Sequence, residues 1–117
     1  MLTISLGQVG EKVAGKFLVT QGFRLQATNY RCPIGEVDII ALHRGILYFI
    51  EVKTRTTTAY GWPAEAVTPT KQAKLRQIAL YYLMMNKHEG VVAFGVVEVL
   101  YHEKRRCYQV NFIPHAF

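Results

Sequence analysis

The sequence has few acidic residues and only one aspartate. Its 117 residues include eight acidic side chains against fourteen lysines and arginines, which gives a formal net charge of +6. This balance favours a polyanionic partner, with nucleic acid ahead of an anionic membrane. The single aspartate, Asp38, stands in an otherwise apolar stretch, where an ionised carboxylate is costly to bury unless another group compensates it.

Long apolar runs and paired cysteines are missing too. The apolar stretch 91–100 is interrupted by Gly95 and Glu98, and it falls short of the ~20 residues that span a bilayer. The amino-terminal residues lack the basic start and apolar core of a secretory signal, so we expect a cytoplasmic protein with no membrane association. Cys32 and Cys107 have no partner at metal-binding spacing and are expected to be reduced thiols.

Half of the residues are apolar, which is enough to form the core of one domain. The length leaves no room for a second, so residues 1–117 are expected to form a single domain. Hydrophobic periodicity predicts an α/β fold of order α-β-β-β-α-β-β, with a mixed five-stranded sheet flanked by helices. The predicted helices are 7–20 and 69–86, and the predicted strands are 23–31, 36–42, 46–54, 91–101 and 106–113.

The second and third predicted strands form the most informative pair. Only His43, Arg44 and Gly45 separate them, so we predict an antiparallel hairpin. If the turn centres on Arg44 and Gly45, Asp38 lies directly opposite Glu51, because residues equally distant from a tight turn face each other.

The same register places Glu36 opposite Lys53. Because side chains alternate along a strand, these two residues share one face with Asp38 and Glu51. The rest of both faces is apolar, which is typical of a hairpin in the middle of a sheet. One face carries Ile40, Leu42, Leu47 and Phe49 beside the charged residues, and the other carries Val37, Ile39, Ala41, Tyr48, Ile50 and Val52.

Two facing carboxylates repel each other, and their burial needs compensation. A divalent cation such as Mg²⁺ or Mn²⁺ would supply it, because these ions prefer carboxylate, carbonyl and water oxygens. A metal held by Asp38 and Glu51 could activate a water and stabilise charge on a phosphate. Lys53 would then orient the water or the phosphate. The alternative is an ordinary, partly buried group of ion pairs.

The first predicted helix carries an acid on its packed side. Glu11 lies on the stripe of Ala14 and Leu18, away from Lys12 and Lys16. An acid on a packed face has either an ion-pair partner or a site to serve, and both interpretations stay open.

The basic residues suggest a surface for nucleic acid. Lys71 falls in the first turn of the second predicted helix, where backbone N–H groups also attract anions. Tyr60 or Trp62, in the loop after the third strand, could stack on an unpaired base, with packing as the alternative for Trp62. The candidate phosphate contacts are Arg55, Lys71, Lys74, Arg76 and the turn 104–106.

Several short motifs occur together between residues 7 and 83. They are Gly10-Glu11, Gly22-Phe23, Asn29-Tyr30-Arg31, Gly35-Glu36-Val37-Asp38-Ile39-Ile40-Ala41, Phe49-Ile50-Glu51-Val52-Lys53-Thr54-Arg55, Gly61, Ala64-Glu65-Ala66-Val67 and Thr70-Lys71-Gln72. In this combination the sequence resembles the bacterial YraN-like family, which looks like a branch of the restriction-endonuclease-like, or PD-(D/E)XK, superfamily near the Holliday-junction resolvases.

The resemblance implies a restriction-endonuclease-like fold and a Mg²⁺- or Mn²⁺-dependent DNA endonuclease, with branched DNA as a candidate substrate. It assigns the catalytic roles to Glu11, Asp38, Glu51 and Lys53, and it adds the carbonyl of Val52 to the metal ligands Asp38 and Glu51. The alternatives are a nucleic-acid-binding protein that kept the fold without catalysis, and a structural subunit that docks through a sheet edge.

Assembly is a separate question. Symmetric cutting of two strands needs two active sites, which a two-fold homodimer would supply. A weak homodimer and a monomer both stay open. The candidate dimer surfaces are the loop at Tyr60 and Trp62 and the apolar C-terminal residues 112–117.

Overall fold

The computed structural model of the chain describes residues 4–57 and 67–117. Their elements are α1 (Leu6–Thr20), β1 (Arg24–Cys32), β2 (Gly35–His43), β3 (Ile46–Thr57), α2 (Pro69–Asn86), β4 (Val91–His102) and β5 (Cys107–Ile113). The predicted order is confirmed, and α2 has the predicted bounds. β3 continues past the predicted end at Thr54. Tyr60 and Trp62 lie outside the described residues.

Both helices begin at a side-chain cap. At α1 the N–H of Gln8 donates to Ser5 Oγ over 3.2 Å, and the N–H of Ser5 donates to Gln8 Oε1 over 2.9 Å. At α2 the cap is Thr68, which accepts the N–H of Lys71 through Oγ1. These bonds satisfy N–H groups that have no partner within the helix. In the described part of the chain, neither helix is long and apolar enough to cross a membrane.

The five strands form one sheet in chain order, β1-β2-β3-β4-β5. Neighbouring strands are antiparallel except β3 and β4, which are parallel. A parallel pair needs a crossover between its strands, and here the crossover contains α2. β3 is therefore the central strand and carries the segment around Glu51 into the middle of the molecule.

The turn between β2 and β3 has the geometry that the sequence predicts. Arg44 and Gly45 both have positive φ, at 50° and 79°, as a two-residue hairpin turn of the primed type requires. Ile39 consequently pairs with Ile50. This confirms the register that brings Asp38 and Glu51 to the same end of the hairpin.

The helices cover opposite faces of the sheet and create two cores. On the α1 face, Leu18 is fully buried, and burial of a leucine contributes about 1.5–3 kcal/mol. On the α2 face Leu75, Ile78 and Ala79 are buried. The α1 core includes Ala14, Ile39, Ala41, Tyr48 and Ile50, and the α2 core includes Val37, Ile40, Leu47, Phe49 and Val96.

The apolar C-terminus packs on its own domain. The ring of Phe117 stacks on Phe94 with centroids 5.1 Å apart, and the N–H of Ala116 donates to the Phe94 carbonyl over 2.8 Å. Phe112 meets Phe23 edge to face. The C-terminal residues thus pack within the chain, as the alternative to a dimer surface predicts, and the homodimer stays a prediction.

Candidate active site

β2 is irregular at Asp38. Along its edge with β1, Ile39 pairs with Thr28 and Val37 pairs with Tyr30. Asn29 lies between Thr28 and Tyr30 on β1, has a φ of 51° and does not pair with Asp38. A left-handed residue inside a strand breaks the alternation of side chains.

This break overturns the predicted position of Val37. Strict alternation assigns Val37 to the face of Ile39, but Val37 packs in the α2 core with Ile40. The sequence signal for the break is Asn29, because asparagine tolerates the left-handed region better than most residues.

On the other side of Asp38, β2 and β3 separate. Their ladder ends at the Ile39–Ile50 pair, so Asp38 and Glu51 lie at the mouth of the hairpin and not at a paired position within it. The N–H of Val52 donates to Asp38 Oδ2 over 2.8 Å. In a regular antiparallel pair that N–H would bond a carbonyl of the facing strand. The carboxylate takes the carbonyl's place and is held by the backbone of β3.

Glu51 is the only charged residue that is buried in the described part of the chain, with 8% of its surface exposed. Its Oε1 forms an ion pair with the ammonium of Lys71, in the first turn of α2. Its Oε2 is buried and has no hydrogen-bond partner among the described residues. A buried carboxylate oxygen without a partner is unfavourable in a purely structural role.

The acids at this end of the sheet interact electrostatically. The pKa of Asp38 is raised from 3.8 to about 6, chiefly by burial and also by the charges of Glu11 and Glu51, against the lowering effects of the Val52 N–H and of Lys71. The structure therefore brings three of the four predicted catalytic residues within electrostatic range. Negative charge is concentrated here, and a cation would be bound favourably.

Two cavities meet at Asp38. One of about 290 Å³, on the α2 side, is lined by Asp38, Glu51 and Lys71 together with Lys74. The other, of about 740 Å³, lies between α1 and the sheet and has Glu11 and Asp38 in its lining. Glu11 thus lies close to Asp38, whose carboxylate also interacts with Glu51. Of the two interpretations of Glu11, this position favours a role in the site. Lys12, Lys16, Thr28 and Asn29 also line the larger cavity.

Lys53 follows Glu51 by two residues on β3, so the two side chains share one face of the sheet. Lys53 is half-buried and lines neither of these cavities. Across the parallel pair it lies next to Glu98 of β4, whose Oε2 is buried without a hydrogen-bond partner among the described residues. Sequence reasoning missed Glu98, because its position beside Lys53 depends on the β3–β4 register.

Glu36 was predicted to share the charged patch, and it lies at its rim. It lines the smaller cavity but is exposed, and its Oε2 pairs with Arg31 Nε at 3.1 Å. An exposed pair of this kind contributes little to stability. The patch is therefore narrower than predicted and centres on Asp38 and Glu51.

The sequence profile of the Uncharacterised protein family UPF0102 matches residues 10–99. The chain belongs to this family. Among its relatives, a UPF0102 protein of Clostridium novyi is 39% identical over 113 residues, covering 96% of this chain and 94% of its own. One from Caldicellulosiruptor saccharolyticus is 41% identical, covering 96% of both chains. One from Thermodesulfovibrio yellowstonii is 43% identical over 99 residues, covering 85% of this chain and 88% of its own.

The family match confirms the YraN-like resemblance and includes the whole candidate site. Glu11, Asp38, Glu51 and Lys53 all fall within residues 10–99. Lys71 falls there too. The site is thus built within the segment that defines the UPF0102 family, rather than in the C-terminal residues that lie beyond it.

The residues present fit a Mg²⁺ or Mn²⁺ ion in a restricted way. In residues 4–57 and 67–117, no three Asp, Glu, His or Cys side chains are grouped so that they could hold an ion alone. Mg²⁺ is, however, commonly held by one or two carboxylates with water and substrate phosphate as its other ligands. Asp38 and Glu51 provide two carboxylates, and Oε2 of Glu51 is a ligand atom without a hydrogen-bond partner in the described part of the chain.

The predicted phosphate contacts divide into two groups. Lys71 and Lys74 line the cavity beside the carboxylates. The guanidinium of Arg76 instead lies 5.2 Å from the Phe117 ring centroid and 5.7 Å from that of Phe94. Arg55 is half-buried further along β3. The turn 103–106 follows the end of β4, whose last residue pairs with the last residue of β3, so the turn lies beyond the C-terminal end of β3.

Proposed function

We propose that this UPF0102 protein is a divalent-metal-dependent endonuclease that hydrolyses phosphodiester bonds in DNA. One observation carries the proposal: the buried carboxylate of Glu51 keeps one oxygen without a hydrogen-bond partner among the described residues, and Glu51 lines a cavity with Asp38 and two lysines. Carboxylates beside cationic groups in one cavity are the arrangement that metal-assisted phosphoryl chemistry uses.

A structural role accounts poorly for this arrangement. Replacing a buried ion pair by apolar residues of similar volume is often neutral or stabilising. Here the Lys71 pair satisfies only one oxygen of Glu51, and the nearby charges of Glu51 and Glu11 raise the pKa of Asp38. A site that costs stability and concentrates negative charge is better explained by a cation that binds there.

In this proposal Asp38 and Glu51, with the carbonyl of Val52, hold Mg²⁺ or Mn²⁺, which when bound lowers the pKa of a water and stabilises charge on the phosphate. The Val52 N–H fixes the orientation of Asp38 through Oδ2. Glu11 approaches Asp38 from the α1 side and is placed to hold a proton or a water there.

The lysines bind and orient the phosphate. Lys71 and Lys74, on successive turns of α2, neutralise its oxygens from the α2 side. Lys53, two residues beyond Glu51 on β3, orients the phosphate or the water by the family assignment. Lys12 and Lys16 line the α1-side cavity and extend positive charge to the other side of Asp38.

DNA as the proposed substrate is supported by the +6 charge and by cavities that meet at Asp38 from both faces of the sheet. A nucleic-acid strand can then run past the end of the central hairpin with its phosphates between two sets of lysines. Branched DNA, such as a four-way junction, is proposed from the resemblance to Holliday-junction resolvases.

A second candidate is a nucleic-acid-binding protein without catalysis. The observation that favours it is the ion pair between Lys71 and Glu51, together with the position of Lys53 beside Glu98. If these lysines serve only as counter-ions, the site is a set of charge pairs beneath a basic surface.

The test uses labelled duplex, flap, single-stranded and four-way-junction DNA, each with and without Mn²⁺. The endonuclease cleaves at least one of them only with metal, and Asp38→Asn and Glu51→Gln abolish cleavage while they preserve side-chain shape. Binding without cleavage would support the second candidate. If the protein neither binds nor cleaves any of these DNAs, a role as a structural subunit becomes the better interpretation.

A further inference from the structure

Lys71 reaches the carboxylates from a firmly held backbone. Its own N–H donates to Thr68 Oγ1 over 3.2 Å, which fixes the first turn of α2. Its ammonium pairs with Glu51 Oε1. The two partners differ in exposure, because the side chain of Lys71 is 52% exposed and that of Glu51 is 10% exposed. The lysine can therefore move into solvent, whereas the carboxylate stays buried.

The charges at this position are incompletely balanced. The ammonium contacts one oxygen of Glu51 and leaves Oε2 without a partner among the described residues. A divalent cation compensates two carboxylates better than one ammonium does. A metal ion held by the Glu51 carboxylate, through Oε2 or through both oxygens, repels the ammonium on Oε1 at close range, so the two cations compete for this carboxylate.

We propose that Lys71 is an exchangeable counter-ion, which neutralises Glu51 until a divalent cation binds and is then released toward the substrate phosphate. This inference rests on the proposed function and assigns Lys71 a positioning role within it. The released ammonium stays in the cavity lined by Lys74, one turn further along α2, so that two cations face an incoming phosphate. Metal binding and phosphate binding are then thermodynamically coupled through one side chain.

The first test measures the affinity for Mn²⁺ alone, by calorimetry without DNA. Lys71→Met removes the competing charge and keeps the length of the side chain. We expect it to bind Mn²⁺ at least about tenfold more tightly than the original protein, because a charge-assisted hydrogen bond of this type no longer has to be broken.

Lys74→Met is the matched control. It removes one positive charge from the same helix and the same cavity, but no contact between Lys74 and Glu51 occurs in the described structure. We expect its Mn²⁺ affinity to change by less than about threefold, since only long-range repulsion is removed. Lys71→Arg keeps the charge and should not gain affinity.

The second test concerns coupling. In the original protein, Ca²⁺, which uses the same oxygen donors as Mg²⁺, should tighten junction-DNA binding more than it does in Lys71→Met. If Lys71→Met does not fold without metal, Lys71→Gln replaces it, because its amide still donates to Glu51 without carrying charge.

The outcomes separate this inference from the proposed function. Equal or weaker Mn²⁺ affinity in Lys71→Met would overturn the counter-ion role while leaving the metal site intact. No Mn²⁺ binding by either protein would overturn both. If Lys71→Met and Lys74→Met both bind Mn²⁺ more tightly to the same extent, the gain comes from the loss of any positive charge in the cavity. That result would reject a specific exchange of Lys71.

Discussion

At the scale of single residues, the main feature is the energetic cost of ionised Asp38. Because its pKa is raised from 3.8 to about 6 in the folded protein, the folded state holds its proton more tightly than the unfolded state does. This cost is absent below about pH 4, grows as the pH rises through the interval between the two values, and is complete above about pH 6.

Replacement of Asp38 by asparagine should therefore stabilise the metal-free protein at pH 7.5. We expect a gain of about 1–2 kcal/mol in the free energy of unfolding, reduced from the full shift because the carboxylate is partly exposed. The amide oxygen of Asn can still accept the Val52 N–H. Urea unfolding of both proteins in the presence of a chelator would measure this gain in the free energy of unfolding at pH 7.5 and at pH 4. The gain should vanish at pH 4.

The control is Glu36→Gln, which removes an exposed carboxylate from the same strand. Its effect on stability should stay within about 0.5 kcal/mol at both pH values. A pH-independent gain in Asp38→Asn would contradict the electrostatic origin of the cost.

Lys53 has a proposed role toward the phosphate or the water and a structural alternative beside Glu98. Substitution of Lys53 distinguishes the two roles. We predict that Lys53→Ala loses cleavage but keeps its Mn²⁺ affinity within about threefold, because Lys53 is assigned to the phosphate or the water and not to the ion. Cleavage assays and calorimetry would measure the two effects.

A purely structural Lys53 would behave differently. The substitution would then leave the partly buried carboxylate of Glu98 without compensation and lower stability, and a second change, Glu98→Gln, would restore it. Recovery of stability without recovery of cleavage in the double variant would support both roles at once.

At the scale of elements, the contact that positions Glu11 is the packing of α1 on β3. A Cβ atom on Gly10 would overlap the side chain of Thr54, so this glycine lets the helix approach the strand that carries Glu51. Glu11 is the next residue of the same helix and is directed toward Asp38 by that approach. The Gly10-Glu11 motif thus combines a packing requirement with a functional side chain.

We predict that Gly10→Ala destabilises the protein by about 1–3 kcal/mol, since overlap in a packed interface outweighs the better helix propensity of alanine. It should also reduce cleavage by displacing Glu11. The comparison is Gly7→Ala in the same helix, where the new Cβ meets only Ser5 Oγ at 3.9 Å. That variant should be neutral or more stable by up to about 1 kcal/mol. Thermal unfolding of both proteins would test the difference.

The elements also show what the sequence could predict. The hairpin register followed from Arg44 and Gly45, because a short turn fixes which residues face each other. The break at Asp38 did not follow, because asparagine tolerates the left-handed backbone that Asn29 adopts beside it but does not require it. The position of Lys53 beside Glu98 did not follow either. A parallel pair has no turn to set its register, so it depends on how the α2 crossover packs.

At the scale of the whole molecule, basic residues flank the site on both faces, and binding to DNA should depend on salt. On duplex DNA each phosphate contact contributes a slope of about −0.9 to the dependence of log affinity on log salt. We predict that Lys74→Met weakens binding and makes this slope shallower by about 0.9. Fluorescence anisotropy between 50 and 200 mM salt, concentrations over which such effects are large (roughly 10³-fold or more for six or more contacts), would measure it.

Arg76→Met provides the comparison. Its guanidinium lies over two aromatic rings near the C-terminus, so its loss should affect packing more than the salt slope. If both variants leave the slope unchanged, the basic lining of the smaller cavity does not contact phosphate.

The chain-order arrangement of the five strands has a consequence for folding kinetics. Asp38 and Glu51 belong to one hairpin with local contacts, whereas Lys71 lies in the α2 crossover between β3 and β4. Because local contacts tend to form first, we expect the two acids to come together before Lys71 is available as their counter-ion. We expect Mn²⁺ in the refolding buffer to increase the refolding rate measured by stopped-flow fluorescence, and Asp38→Asn to refold at a rate that no longer depends on the metal.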